Sequence, residues 1–121
     1  MDMRLELVPL PTSDVDRSKT FYAEGMGFVV DHDVEPGNGM RVVQLTPPGS
    51  SCSIVIGVGM SAPDAPRVQN LHLVVDDIDQ AREMLSRAGV EVSPVQDMGG
   101  VKYAHLSDPD GNTWALQQLA R

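Results

Sequence analysis

The second half of this sequence repeats the first. Asp14-Val15-Asp16 returns as Asp77-Ile78-Asp79, and Lys19 returns as Arg82, at a constant offset of 63. Gly27-Phe28-Val29-Val30 returns as Gly89-Val90-Glu91-Val92 at an offset of 62. Leu45-Thr46-Pro47-Pro48-Gly49 runs parallel to Leu106-Ser107-Asp108-Pro109-Asp110-Gly111, with one residue inserted. Three matches in the same order mark a duplication. Half of a 121-residue chain is too small to cover both faces of a sheet, so two units must be joined to make one stable fold.

Each unit reads as β-α-β-β-β. Leu5 to Thr12 is strand-like, with Pro9 and Pro11 pointing to an edge or a bulge. Ser13 or Asp14 caps a helix in which Val15, Ser18, Phe21 and Tyr22 recur at helical spacing, and Gly25 and Gly27 end it. Strands follow at 28–34, 40–46 and 52–58, separated by Pro36-Gly37-Asn38-Gly39 and Pro47-Pro48-Gly49-Ser50. The pattern restarts with a strand at 71–75 and a helix at 77–88 closed by Gly89, with Met84 and Leu85 assigned to its core. Strands at 90–95, 101–107 and 113–119 complete it. The expected organisation is one domain over 4–120, made of modules at 5–59 and 68–119 joined by a polar, proline-containing linker at 60–67.

Charge excludes some partners. The formal net charge is −8, with acidic residues spread along the whole chain, so the field has the wrong sign for nucleic acid or an anionic membrane. No apolar run is long enough to span a bilayer, and the first residues do not read as a signal peptide. The single cysteine, Cys52, excludes an internal disulfide framework and reads as a buried, inert thiol. A reducing, cytoplasmic setting is expected.

Three segments resemble one family. Asp14-Val15-Asp16-Arg17 with Phe21-Tyr22 and Gly27-Phe28 looks like the first helix, and the strand after it, of the glyoxalase/bleomycin-resistance/extradiol dioxygenase (vicinal oxygen chelate) superfamily. Val75-Asp76-Asp77-Ile78 resembles its second-module counterpart, and Asp108-Pro109-Asp110-Gly111-Asn112 resembles the hairpin before its last strand. The resemblance runs from about Leu5 to Leu119. It implies an α+β fold of two tandem βαβββ modules, forming a curled mixed sheet around a central cleft. It does not fix a reaction.

Catalytic members of that family hold a divalent metal on His and Glu side chains from the first and last strand of each module. The resemblance maps those positions onto Leu7 and Asn70, seven residues before each helix-opening Asp, and onto Ser53 and Ala115, four after each hairpin glycine. Leucine and alanine cannot ligate, and Ser53 and Asn70 are poor ligands alone. No metal or other cofactor is therefore expected. A relocated site is the open alternative. His72 faces the same side as Asn70, and strand alternation puts Gln44, Tyr103 and His105 opposite Leu45 and Leu106. No carboxylate joins the histidines: Glu6 has the wrong parity, and His32 lies near a strand end. Trp114, out of phase with Ala115, is expected under the helices, and Asp108 and Asp110 are expected to shape their turn.

The expected ligand face comprises Leu7, Gln44, Ser53, Asn70, His72, Tyr103, His105, Ala115 and Gln117. Such a mixture suits a small organic molecule held without metal, as in the antibiotic-sequestering members. The alternative is an isomerase, lyase or dioxygenase-type enzyme. There His72 and His105 would act as acid–base groups or as a relocated metal site, and Tyr103 would donate to an oxyanion. Whether the chain is an enzyme stays open at this point. Many two-module members dimerise, so a homodimer is expected.

Overall fold

The computed structural model describes residues 1–120 and divides into two compact units, Met1–Pro66 and a second beginning at Arg67. The class is α+β, with one four-stranded mixed sheet and one helical segment in each unit.

In the first unit, β1 (Leu7–Pro9) leads to α1 (Val15–Thr20), followed by β2 (Val29–Gly37), β3 (Met40–Thr46) and β4 (Ser53–Val58). The sheet order is β1-β4-β3-β2, with β1 parallel to β4 and the other pairs antiparallel. β1 is shorter than the sequence pattern implies. Pro9 and Pro11 have no N–H to give the ladder, and the Leu10 N–H to the Val55 carbonyl (2.9 Å) is its last bond. Asp14 caps α1, its carboxylate accepting from the Arg17 N–H at 3.1 Å. The helix then widens into a π-helical turn, Phe21–Gly25, closed by the Met26 N–H to the Phe21 carbonyl. That turn swings Tyr22 under the sheet. It is fully buried and stacks on Phe28 at 5.6 Å, and Leu10, Val43, Leu45, Ile54 and Ile56 are buried in the same unit. β2 runs three residues beyond its expected end, because Asn38-Gly39 alone makes the turn to β3. Both residues have positive φ (56° and 74°), the conformation of a two-residue hairpin that keeps the strands twisted together.

The second unit repeats the plan with β5 (Leu71–Val74), α2 (Ile78–Arg87), β6 (Gln96–Met98), β7 (Val101–Ser107) and β8 (Thr113–Gln118), in the order β5-β8-β7-β6. Asp77 caps α2 as Asp14 caps α1, and the Gln118 side chain also accepts from the Ile78 N–H at 2.9 Å. Ile78 and Leu85 face the sheet. Met84 does not: it is largely exposed, because it lies about 100° round the helix from Leu85.

The largest departure from the sequence reading is at 90–95, where no strand forms. Val90 and Val92 are buried, but the Val92 and Ser93 carbonyls accept from the Arg82 guanidinium (3.4 and 2.8 Å) rather than from a neighbouring strand. The Ser93 N–H bonds to the His105 carbonyl, and the return bond from the His105 N–H goes to the Ser93 hydroxyl. A side chain has taken over half of a ladder step, and Pro94 cannot supply the next.

Candidate functional site: the open sheet faces

Each sheet has one face under its helix and one face away from it, and strand register sorts the side chains between them. In the second unit Leu71, Leu73, Ala104, Leu106, Trp114 and Leu116 share the helix face. Trp114 is buried there, as its parity predicts. His72, Val74, Tyr103, His105, Ala115 and Gln117 share the open face, with His72, Ala115 and His105 in one cross-strand row and Val74, Gln117 and Tyr103 in the next.

The polar groups of this face have fixed roles. The His72 Nδ1 lies 2.8 Å from the Asn70 carbonyl, which can only accept, so Nδ1 carries the ring proton and Nε2 is the acceptor of the neutral imidazole. Asn70 turns that carbonyl inward from a left-handed conformation (φ 60°), tied down by its N–H to the Thr113 hydroxyl at 2.8 Å. The ring of His72 stands edge-on to Tyr103, with centroids 6.1 Å apart. The Gln117 amide donates to the Tyr103 hydroxyl at 3.1 Å, which leaves the phenolic proton to be given to a ligand. One acceptor and one donor thus stand side by side on a half-apolar surface.

In the first unit the open face carries Leu7, Ser53, Val55, Gln44, Thr46, Val42 and His32. His32 is mid-strand rather than near a strand end, paired with Gln44, because β2 extends to Gly37. Cys52 is half-buried just ahead of β4.

Register also corrects one equivalence between the modules. Leu45 pairs with Ile54 and Leu106 with Trp114, so the counterpart of Ala115 is Val55 and not Ser53. The hairpin before β4 is one residue longer than that before β8, and its glycine comes one place earlier after the preceding strand, so counting from the glycine falls short. Ser53 instead corresponds to Thr113. Leu7, opposite Ser53, corresponds to Asn70, whose N–H meets the Thr113 hydroxyl.

The four positions that would hold a metal are therefore Leu7, Val55, Asn70 and Ala115. None carries an imidazole, thiolate or carboxylate, so this donor set does not fit a divalent ion. Among the described residues, no group of three or more His, Cys, Asp or Glu side chains is placed to hold one. Asp108 and Asp110 belong to the turn: the Asp108 carboxylate accepts from the backbone N–H of Asp110 and Asn112 and from the Asn112 amide.

A separate hollow of about 640 Å³ lies in the first unit at the end of β4, lined by Thr12, Ser13, Asp16, Arg41, Met60 and Pro63 among others. Its one cation is already engaged. The Arg41 guanidinium forks onto Asp33 (3.1 and 3.0 Å) and reaches Asp16 at 2.7 Å, while Lys19 holds Asp33 from the other side. These donors keep the Asp33 carboxyl well below the usual carboxylate range, Arg41 foremost, and the two carboxylates raise the Arg41 pKa further.

Comparison with known proteins agrees with this geometry. The family model of the Glyoxalase/Bleomycin resistance protein/Dioxygenase superfamily matches residues 4–116. The chain belongs to that superfamily. Among solved structures, it is similar to TnmS3, an antibiotic binding protein from Streptomyces sp. CB03234, with 33% identity, 97% of this chain and 96% of the other covered, and a TM-score of 0.84. It is similar also to a glyoxalase/bleomycin resistance protein from the same strain (32% identity, 95% and 100% covered, TM-score 0.78). A superfamily member from Sphaerobacter thermophilus DSM 20745 is 27% identical over 98% and 99% of the two chains, with a TM-score of 0.84. A search of curated proteins finds no match. No helix among the described residues is long and apolar enough to cross a membrane.

Proposed function

We propose that this chain is a metal-independent, cytoplasmic binding protein for a small organic molecule of the antibiotic type, acting as a homodimer. The observation that carries this reading is the open face of the second unit: the Asn70 carbonyl orients His72, and Gln117 orients the Tyr103 hydroxyl edge-on beside it, around Asn70 and Ala115, where a catalytic relative would carry metal donors. Likeness to TnmS3, at 33% identity over nearly the whole of both chains, supports an antibiotic as the ligand class. Leu7, Gln44, Ser53, Asn70, His105 and Ala115 complete the proposed binding faces together with Val55. Leu7 supplies apolar contact area over the buried Val55 and Ala115, and the polar members set orientation.

A second reading, acid–base catalysis, draws on one observation. The Asn70 carbonyl fixes the His72 tautomer, so Nε2 is poised to take a proton while Tyr103 donates to a developing oxyanion. His105 would be the partner acid.

The test is a thermal-shift and calorimetric screen against a panel of antibiotics that includes bleomycin, alongside titration with Zn²⁺, Ni²⁺, Mn²⁺ and Fe²⁺. The binding reading expects a saturable antibiotic complex recovered unchanged, no stoichiometric metal uptake, and an affinity about tenfold lower in Tyr103→Phe, the value of one lost hydrogen bond. Stoichiometric metal binding abolished in His72→Ala/His105→Ala would overturn it. A recovered product in place of the ligand would favour the catalytic reading.

A further inference from the structure

We propose that the first unit carries a polar subsite of its own, a hydrogen-bond relay of Ser53, Thr46 and Asp31, which anchors the protonated amine of a small organic molecule on that face. The proposal rests on the reading of the open faces as a small-molecule site and adds the charge of the group it takes.

The relay has a fixed direction. The Thr46 hydroxyl donates to the Asp31 carboxylate, which can only accept when ionised. Thr46 has one proton, and that bond spends it. The 2.6 Å bond between the Thr46 and Ser53 hydroxyls must then be donated by Ser53, whose own proton is spent in turn. Every proton in the chain points toward Asp31. The relay therefore offers the ligand acceptors and no donor, and its natural partner is a group rich in N–H.

Burial follows the same direction. Ser53 is 5% exposed, Thr46 is half-buried and Asp31 is exposed on the edge strand β2. Ser53, anchored in the interior, thus fixes Thr46, which holds one carboxylate oxygen of a surface residue and leaves the other to solvent or ligand. A pre-held carboxylate loses less rotamer freedom on binding a cation than a free one.

The backbone is shaped for this contact. Val30 pairs with Leu45 and His32 with Gln44, so Asp31 is the extra residue of a β-bulge. Val29 pairs with Thr46, so alternation along β2 puts Asp31 on the open face with the relay, and the bulge brings the next residue, His32, onto that same face opposite Gln44. Bulges are a recurring means of re-aiming a side chain at a binding site. Leu7, opposite Ser53, and Val29, opposite Thr46, flank the relay with apolar surface for the body of the ligand.

The duplication supplies an internal control. In the second unit the counterpart of Ser53 is Thr113, and its hydroxyl donates to the Gln69 side-chain carbonyl at 3.1 Å while accepting from the Asn70 N–H. There the hydroxyl serves local structure and reaches no carboxylate. The two faces have diverged: the second presents the donor–acceptor pair of Tyr103 and His72, while the relay of the first offers acceptors alone.

The experiment is amide-resolved NMR titration of the full-length protein with benzylammonium, benzyl alcohol and benzoate as probes. Benzylammonium is expected to give saturable shifts at the amides of Asp31, Thr46 and Ser53; benzyl alcohol is expected to bind more weakly and benzoate to leave them unmoved. Asp31→Asn, an exposed and nearly isosteric change, should weaken benzylammonium at least tenfold. Thr46→Val should weaken it severalfold and Thr46→Ser restore it, a rescue that separates orientation of Asp31 from simple charge. Equal shifts with benzoate, no localised shift, or unchanged binding in Asp31→Asn would overturn the subsite, and unchanged binding in Thr46→Val would overturn the relay. Benzylammonium binding here with no antibiotic bound in the screen would leave the subsite standing and sink the antibiotic reading alone.

Discussion

At the scale of single residues, the cluster that binds α1 to the sheet gives a pH-dependent prediction. Asp33 accepts from Arg41 in a fork and from Lys19 at 2.7 Å, and its carboxyl is held below its ordinary value of 3.8. A carboxyl whose folded pKa is depressed contributes stability that is fully present above its unfolded pKa and is lost as pH falls from there through the depressed folded pKa. Asp33 is a quarter exposed, so solvent screening keeps the contribution to about 1 kcal/mol. Asp33→Asn should therefore unfold at lower urea concentration at pH 7, and the gap to the wild type should begin to narrow as pH falls below about 4 and keep narrowing toward lower pH. Urea titrations at pH 7, 4 and 3 measure it, and a deficit that stays constant to pH 3 would rule out the ionic origin. The partners of Asp33 were not legible in the sequence, since residues 16, 19, 33 and 41 meet only once β2 and β3 are registered. Strand alternation did place Gln44, His72, Tyr103, His105 and Gln117 on the open faces, because period 2 survives without knowing the partner strand. Val55 and His32 escaped that reasoning. One depends on hairpin length, the other on a bulge, and both are properties of pairing rather than of one strand.

Elements show where local chemistry decides and where packing overrides it. Asp14 and Asp77 were legible as helix starts because an N-cap acts on its own next turn, and both accept from the third residue on, at 3.1 Å. Asp14→Ala and Asp77→Ala should each cost about 1 kcal/mol in urea unfolding, whereas Asp79→Asn, exposed in the first turn of α2, should change stability by less than about 0.5 kcal/mol. If the three variants were indistinguishable, the caps would not be the stabilising element. The segment at 90–95 reads as a strand by composition, and the two valines are buried as a strand's would be. Its backbone carbonyls are nonetheless taken by Arg82, a helix residue eleven positions away from Ser93, and no local pattern announces that. The π-helical turn at Phe21–Gly25 is similar: the sequence marks the helix end by Gly25 and Gly27 but does not say that the last turn widens to seat Tyr22.

For the whole molecule, duplication explains both what is shared and what is left open. Each unit covers one sheet face with a helix and leaves the other face apolar in part. In the first unit the edge strand β2 is exposed over its whole length, with Val29, Val30 and Val34 at 54%, 36% and 50%. In the second, Met98 on the edge strand β6 is 65% exposed. A long edge strand with apolar side chains is a template for pairing or packing with another chain unless something covers it, and soluble monomers rarely tolerate one. β2 does carry charges, Asp31, Asp33 and Glu35, but Asp33 is engaged by Arg41 and Lys19 and so does little to repel a neighbour. The exposed valines of β2 are what supports the proposed homodimer, with Asp31 and Glu35 as the charges that oppose it. Sedimentation equilibrium at micromolar concentration is expected to give twice the mass of one chain. Val34→Asp puts a charge on the open-face row beside Val42, where half the side chain already meets water, so it should leave the far-UV spectrum unchanged. It should shift the equilibrium toward monomer by at least tenfold in dissociation constant, about 1.4 kcal/mol. A wild-type chain that sediments as a monomer would refute the dimer. A dimer indifferent to Val34→Asp would move the interface off β2, leaving the edge at β6 to be tested in the same way with Met98→Asp.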